Sequence, residues 1–296
     1  MQHMALPARL LRRRILSLLD ALPAATSGDV TSVHRARVAS RRLRAVLPVL
    51  AEAAESESLD RAQKQVRRIT RSLGPIREID VALGHLGEVG AASGATPRAI
   101  AKVRAHLVNE RTARRRAMLE VITPATLHKL KDRLHRAPHG HAASADHDVE
   151  VRGARRRVVE RARALEGEIQ RVGGLYVPER LHAVRIAAKK LRYALEVERE
   201  LTRSRAVARI NRLKRLQDTL GEIHDFEILL EHVRDVQARL AGSDLRTAAE
   251  LDILVRTLEE RCREGHAVFL RNRGALTGLC EAILESAGEP ATRPGA

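Results

Sequence analysis

The sequence of 296 residues has almost no aromatic side chains, with two Tyr, two Phe and no Trp. Proteins that bind single-stranded nucleic acid usually stack the bases on aromatic rings. A ligand that is rich in charge and has no bases therefore fits this composition better. Aromatic and β-branched residues also fill β-strands, whereas Ala, Leu, Arg and Glu are abundant here. The composition therefore predicts an all-α protein.

Cysteine and long apolar segments are scarce as well. Cys262 and Cys280 fall in helical patterns and lack the spacing of metal ligands, so we expect small core residues in a reducing cytoplasm. No apolar run approaches the roughly 20 residues that span a bilayer. The N-terminal apolar segment contains arginines, which is typical of an amphipathic helix rather than a secretory signal. These features predict a cytoplasmic protein without a membrane partner.

Basic residues are in large excess, with 54 Lys and Arg against 37 Asp and Glu and a formal net charge of +17. Such an excess indicates a polyanionic partner, which could be nucleic acid, an anionic membrane surface or a phosphate-rich polymer. The distribution of the charge along the chain is informative about which of these it is.

Residues 34–44, HRARVASRRLR, contain five arginines, one histidine and no acid. On a helix, one set of these side chains falls within roughly 80° of arc, beside an apolar face that can pack on a core. We call this set the first basic stripe: His34, Arg37, Arg41 and Arg44. Arg42 projects from its flank and is a further candidate ligand.

The same pattern recurs at residues 182–192, HAVRIAAKKLR. The second basic stripe consists of His182, Arg185, Lys189 and Arg192, with Lys190 on its flank. Stripes without acids suffer self-repulsion, which a bound polyanion relieves. If the two copies pack about a pseudo-two-fold axis, the stripes converge on a shared groove or channel. A solvated helix face is the alternative interpretation.

A second repeated element follows each stripe, LGPIREID at 73–80 and LGEIHDFE at 220–227. Gly74 and Gly221 are predicted to end helices, and the acids after them to cap the next helix or orient the stripes. This region supplies the second-rank candidate ligands: Arg67, Arg77, Lys214 and His224. The segment 137–148 is predicted to be a linker, which divides the chain into helical bundles 1–140 and 141–296. Asp244 is predicted to cap the last long helix.

The stripe histidines could be metal ligands, phosphoryl acceptors or hydrogen-bond donors to phosphate. Their neighbours are cations, which would repel a metal ion, so donation to phosphate is favoured. Adventitious metal binding is the alternative for the cluster around the linker, which comprises His135, His139, His141 and His147. We predict no dedicated metal site, no cofactor and no catalytic residues.

These motifs resemble the CHAD family, named for conserved histidines in an α-helical domain. The resemblance rests on both basic stripes and on the two Leu-Gly elements, where this chain has Arg77-Glu78 and His224-Asp225 in place of the Arg-Asp that the family commonly shows. It implies two helical bundles related by a pseudo-two-fold axis, with a basic central channel that binds inorganic polyphosphate. It also implies a stand-alone CHAD protein, without a triphosphate-processing CYTH domain, and a location at polyphosphate granules or other inclusions.

The leading hypothesis is therefore non-enzymatic binding of inorganic polyphosphate through both stripes. A general polyanion or nucleic-acid-binding module is the alternative, supported by net charge alone. A third hypothesis is an enzyme that processes polyphosphate or a phosphoester. Such chemistry usually needs acids that hold Mg²⁺ beside the phosphates, and the stripes contain none.

Overall fold

The computed structural model describes residues 6–54, 57–142, 147–202, 206–240 and 242–288. Over these ranges the chain is all-α, as predicted, and contains no strand. Its nine helices are α1 Leu6–Ser27, α2 Val30–Ala54, α3 Glu57–Ser93, α4 Pro97–Val121, α5 Pro124–Ala142, α6 His147–Gln170, α7 Pro178–Thr202, α8 Val207–Leu240 and α9 Leu245–Glu285. None of these described helices is long and apolar enough to cross a bilayer.

Local chemistry accounts for several helix starts. The Asp29 carboxylate accepts a hydrogen bond from the Ser32 backbone N–H (2.7 Å) at the start of α2. Gly28, just before it, has φ of +96°, a conformation that L side chains rarely adopt. Asp244 accepts from the Thr247 N–H (3.2 Å), so the predicted cap of α9 is confirmed.

The predicted helix ends at Gly74 and Gly221 are wrong, because α3 and α8 run through them without a break. Pro75 lies inside α3, and Leu73 and Ile76 on either side of it are almost fully buried. An interior Gly costs about 1 kcal/mol and an interior Pro about 3 kcal/mol relative to Ala. Burial of two large aliphatic side chains contributes about 1.5–3 kcal/mol each, which offsets most of that cost.

The predicted linker at 137–148 is also partly wrong, since α5 continues to Ala142 and α6 begins at His147. Residues 143–146 lie outside the described part of the chain. The predicted division near residue 140 and the pseudo-two-fold axis stay predictions.

The apolar side chains form two core clusters, and α3 contributes to both. Its residues from Leu59 to Ile76 belong to a cluster with α1, α2 and α5, whereas Ile79 to Val89 belong to a cluster with α6 to α9. Cys262 and Cys280 are buried, free thiols in the second of these cores. Burial raises the pKa of Cys262 to about 11 and that of Cys280 to about 12, so both remain protonated core residues.

Candidate polyanion-binding cleft

The basic stripes lie on α2 and α7, and a cleft of about 420 Å³ opens between these two helices, α3 and α6. Its lining includes short apolar side chains such as Ala45, Val49 and Ala194. No carboxylate of the described residues lines it. Seven cationic side chains do: Arg41, Arg44, Arg67, Arg157, Arg161, Lys189 and Lys190.

Residues of both stripes meet at this cleft. Arg41 and Lys189 line it together, with Arg37 and Arg185 next to them on the same helices. Burial, followed by the fields of Arg185, Arg41 and Arg37, lowers the pKa of Lys189 to about 6. Burial and the Arg41 charge lower the pKa of Arg37 to about 10. These cations repel one another, and an anion placed between them would relieve the repulsion.

Two acids that follow the Leu-Gly elements contact the stripes, as the sequence suggested. The guanidinium of Arg37 lies 3.4 Å from the Glu78 carboxylate, and that of Arg185 lies 3.7 Å from the Asp225 carboxylate. Both distances exceed those of tight charge-assisted hydrogen bonds. Among the described residues, no hydrogen-bond partner reaches the buried Nε of Arg185. The acids therefore orient the arginines and leave much of their hydrogen-bonding capacity available.

The other acid of each element has a structural contact. Asp80 accepts a hydrogen bond from Arg111 of α4 (2.6 Å), and Glu227 accepts one from the Tyr176 hydroxyl. These contacts hold α3 against α4 and α8 against the segment that precedes α7.

The stripe histidines lie on the turns beyond Arg37 and Arg185. Burial lowers the pKa of His34, and the neighbouring charges of Arg77 and Arg37 lower it further. Burial and the charge of His224 lower the pKa of His182. Nδ1 of His182 lies 3.3 Å from Nδ1 of His224. The second-rank candidates Arg77 and His224 therefore stand beside the stripe histidines.

Not every predicted ligand lies in the cleft. Arg192 donates a hydrogen bond to Glu196 (2.7 Å), and Nε of Arg42 lies 3.5 Å from the other oxygen of the same carboxylate. Arg192 therefore lies outside the lining of the cleft and pairs with an acid one turn along its own helix, and its role as a ligand stays a prediction. Lys214 is exposed on α8 and does not line the cleft.

Two cleft residues escaped the sequence analysis. Arg157 and Arg161 line the cleft from α6, and Arg157 also donates a hydrogen bond to the carbonyl of Pro48 in α2 (3.3 Å). Their spacing of four residues places them on one helix face, which is the signal that could have identified them. Acidic residues are interleaved in α6, so its pattern resembles that of a solvated face.

The linker histidines provide no described site. The side chains of His135, His139 and His141 lie outside the described residues. His147 is exposed, with its Nδ1 3.6 Å from a Glu150 carboxylate oxygen.

Comparisons with known proteins agree with the motifs. The model of the CHAD domain matches residues 9–234. A curated relative, an uncharacterized protein of Mycobacterium tuberculosis (strain CDC 1551 / Oshkosh), is 28% identical over 81% of this chain. The match covers 47% of that protein, so the chain spans about half of its length.

Two solved structures share the fold. The CHAD domain from the plant Ricinus communis superposes with a TM-score of 0.65 at 21% identity, covering 94% of this chain and 91% of that one. PptA from Streptomyces chartreusis gives a TM-score of 0.63 at 19% identity, covering 90% and 97%.

Proposed function

The chain belongs to the CHAD domain family, and we propose that it binds inorganic polyphosphate in the cleft between α2 and α7. The single observation that carries the proposal is the set of seven Lys and Arg side chains that line this cleft without an acid among the described lining residues. Arginine and lysine donors bind phosphate oxygens through charge-assisted hydrogen bonds. The apolar side chains of the lining lower the local dielectric constant, which strengthens each of these contacts.

The length of the basic surface favours an extended anion over a single phosphate. From His34 to Arg44 the first stripe covers ten residues, or about 15 Å of helix. Arg67 and Arg71 extend this surface on α3. Their charges lower the pKa of Arg44, and that of Arg67 has the larger effect. A linear polyanion could contact all of these groups at once, and release of its counterions would favour binding further.

Polyphosphate suits the cleft better than nucleic acid does. Tyr193 is the aromatic residue of the lining, and the Arg192 guanidinium already stacks on its ring, 4.5 Å from the centroid. Bases would find little to stack on, whereas a chain of phosphates needs only charge and a suitable width.

A binding role is also more consistent with the cleft than catalysis is. Phosphoryl transfer commonly uses carboxylates that hold Mg²⁺ next to the reacting phosphate. The described lining offers cations and short apolar side chains. We therefore propose a non-enzymatic protein, and association with polyphosphate granules follows as part of the same proposal.

The first experiment is calorimetry with long-chain polyphosphate in about 150 mM salt, with double-stranded DNA as competitor, because ionic strength controls such binding. Tight binding that DNA does not displace is the expected result. Equal affinity for both polymers, falling together as salt rises, would instead indicate a general polyanion-binding surface.

A matched pair of variants locates the site. Replacing Arg41, Arg44 and Lys189 with Gln removes three basic side chains from the cleft. Replacing Lys102, Arg104 and Arg256 with Gln removes three exposed charges elsewhere. We expect the first variant to lose most of its affinity and the second to lose little, with unchanged helix content in both. Equal losses would contradict the assignment of the cleft.

A further inference from the structure

A pair of histidines outside the cleft lies between α4 and α8. Nε2 of His106 and Nδ1 of His232 are 3.1 Å apart, although 126 residues separate them in the chain. Asp235, one turn beyond His232, brings its carboxylate to the same place, and the three ligand atoms all lie within 4.8 Å of one another. Both histidines are partly buried and Asp235 is exposed.

We propose that His106, His232 and Asp235 bind a divalent transition-metal ion of the zinc class. Two imidazole nitrogens at about 2.0–2.1 Å from a tetrahedral Zn²⁺ would lie about 3.3 Å apart, close to the observed separation. Two His and one carboxylate are ligand types that suit this class of ion. The exposed side of the cluster leaves room for water as a fourth ligand.

The surrounding charges suit a cation, in contrast to those around the stripe histidines. Glu110 lies one turn beyond His106 and, with Asp235, acts on His232 as a negative charge, whereas Arg114 is the opposing positive charge. The Glu110 carboxylate lies 3.3 Å from the Arg114 guanidinium and so partly offsets the positive charge of Arg114.

Without an ion, one ring would have to donate its N–H to the other, because two lone pairs at this distance repel. A hydrogen-bonded histidine pair is therefore the competing interpretation. The two interpretations differ in stoichiometric metal binding and in the role of Asp235, which the hydrogen-bonded pair does not require.

A bound ion would crosslink α4 and α8, which come from distant parts of the chain. Because the ion would bind only the folded arrangement, it would raise the thermal stability of the protein in proportion to its occupancy. The proposal is independent of polyphosphate binding, since neither helix lines the cleft.

The test is titration of the full chain with Co²⁺, whose visible absorption reports coordination by protein ligands, followed by competition with Zn²⁺. We expect a saturable band that is abolished in the double variant His106→Ala/His232→Ala. Asp235→Asn, at an exposed position, should fold normally and weaken binding at least about tenfold, the lower end of the range for lost metal-site groups.

His128 offers a matched control, because it is exposed and lies 3.3 Å from the Asp132 carboxylate on a single helix. His128→Ala should retain the band and the Zn²⁺-dependent rise in melting temperature. Thermal melting of each metal-free variant establishes that it folds. A band that survives in the double variant, or a Zn²⁺ response that is unchanged in Asp235→Asn, would overturn the proposal and leave a hydrogen-bonded pair.

Discussion

Arg41 on α2 and Lys189 on α7 line one cleft from opposite stripes, and the charge of Arg41 contributes to the low pKa of Lys189. The free protein thus holds an amine at this point that is largely neutral at pH 7. A bound polyanion would raise the pKa of the amine, because it favours the ammonium form. On the proposed function, ligand binding and proton uptake would therefore be linked at this residue.

The first prediction concerns this linkage. In the free protein the pKa of Lys189 is about 6. Affinity for polyphosphate should therefore fall as the pH rises from about 6 towards the higher pKa that Lys189 has in the complex. The loss attributable to one such group is at most about tenfold per pH unit. Calorimetry at pH 8 in buffers of different ionisation enthalpy would count the protons taken up on binding.

Lys189→Arg tests whether Lys189 is the group responsible, because arginine stays charged at this pH. Uptake should drop by close to one proton in this variant. Lys190→Arg, an exposed position beside it, is the control. His34 and His182 also have lowered pKa values, and their contribution should be small at pH 8. Unchanged uptake in Lys189→Arg would contradict the linkage.

The second prediction concerns the α6 wall of the cleft. Arg161→Gln should weaken polyphosphate binding and reduce the slope of log affinity against log salt by about one, as expected for a lost phosphate contact. Arg163 is exposed two residues away and does not line the cleft, so Arg163→Gln is the matched control. If both variants change the slope equally, α6 acts through net charge alone.

The third prediction concerns the close approach of α8 and α9. A Cβ added at Gly265 would lie 2.4 Å from Cγ1 of the buried Ile223. Gly265→Ala should therefore reduce the free energy of unfolding by about 1–3 kcal/mol, the usual cost of overpacking. Urea denaturation, read by far-ultraviolet circular dichroism, would measure the loss.

Gly274, on the same helix, has no atom within 4 Å of the position of an added Cβ. The same substitution there should increase the free energy of unfolding by about 0.5–1 kcal/mol, because Ala favours the helix. Opposite signs for one chemical change on one helix would confirm that the contact with Ile223 decides the effect. A stabilising Gly265→Ala would contradict it.

Much of the fold could be predicted because helix periodicity is a local property. The basic stripes on α2 and α7 and the Asp244 cap of α9 agree with the local pattern of the sequence. The interiors of α3 and α8 could not be predicted in the same way. Gly74, Pro75 and Gly221 are local breakers, and the burial that overrides them depends on tertiary contacts.

The same distinction between local pattern and tertiary packing applies to the candidate site. Arg41, Arg44 and Lys189 could be assigned to a charged face from their own helix, and all three line the cleft. Which other helices complete the cleft depends on packing, so Arg157 and Arg161 were missed. The neutralisation of Arg192 by Glu196 depends on the rotamers of both side chains, which a spacing rule does not give.

The continuity of α3 has a mechanical consequence. This rod of 37 residues, about 55 Å long, passes from one core to the other and forms part of the cleft wall. A hinge between the two cores would have to break it, at the cost of buried side chains on both sides of Pro75. The cleft is therefore preformed, and on the proposed function a polyanion should enter it at a rate set by electrostatic attraction rather than by the opening of a gate.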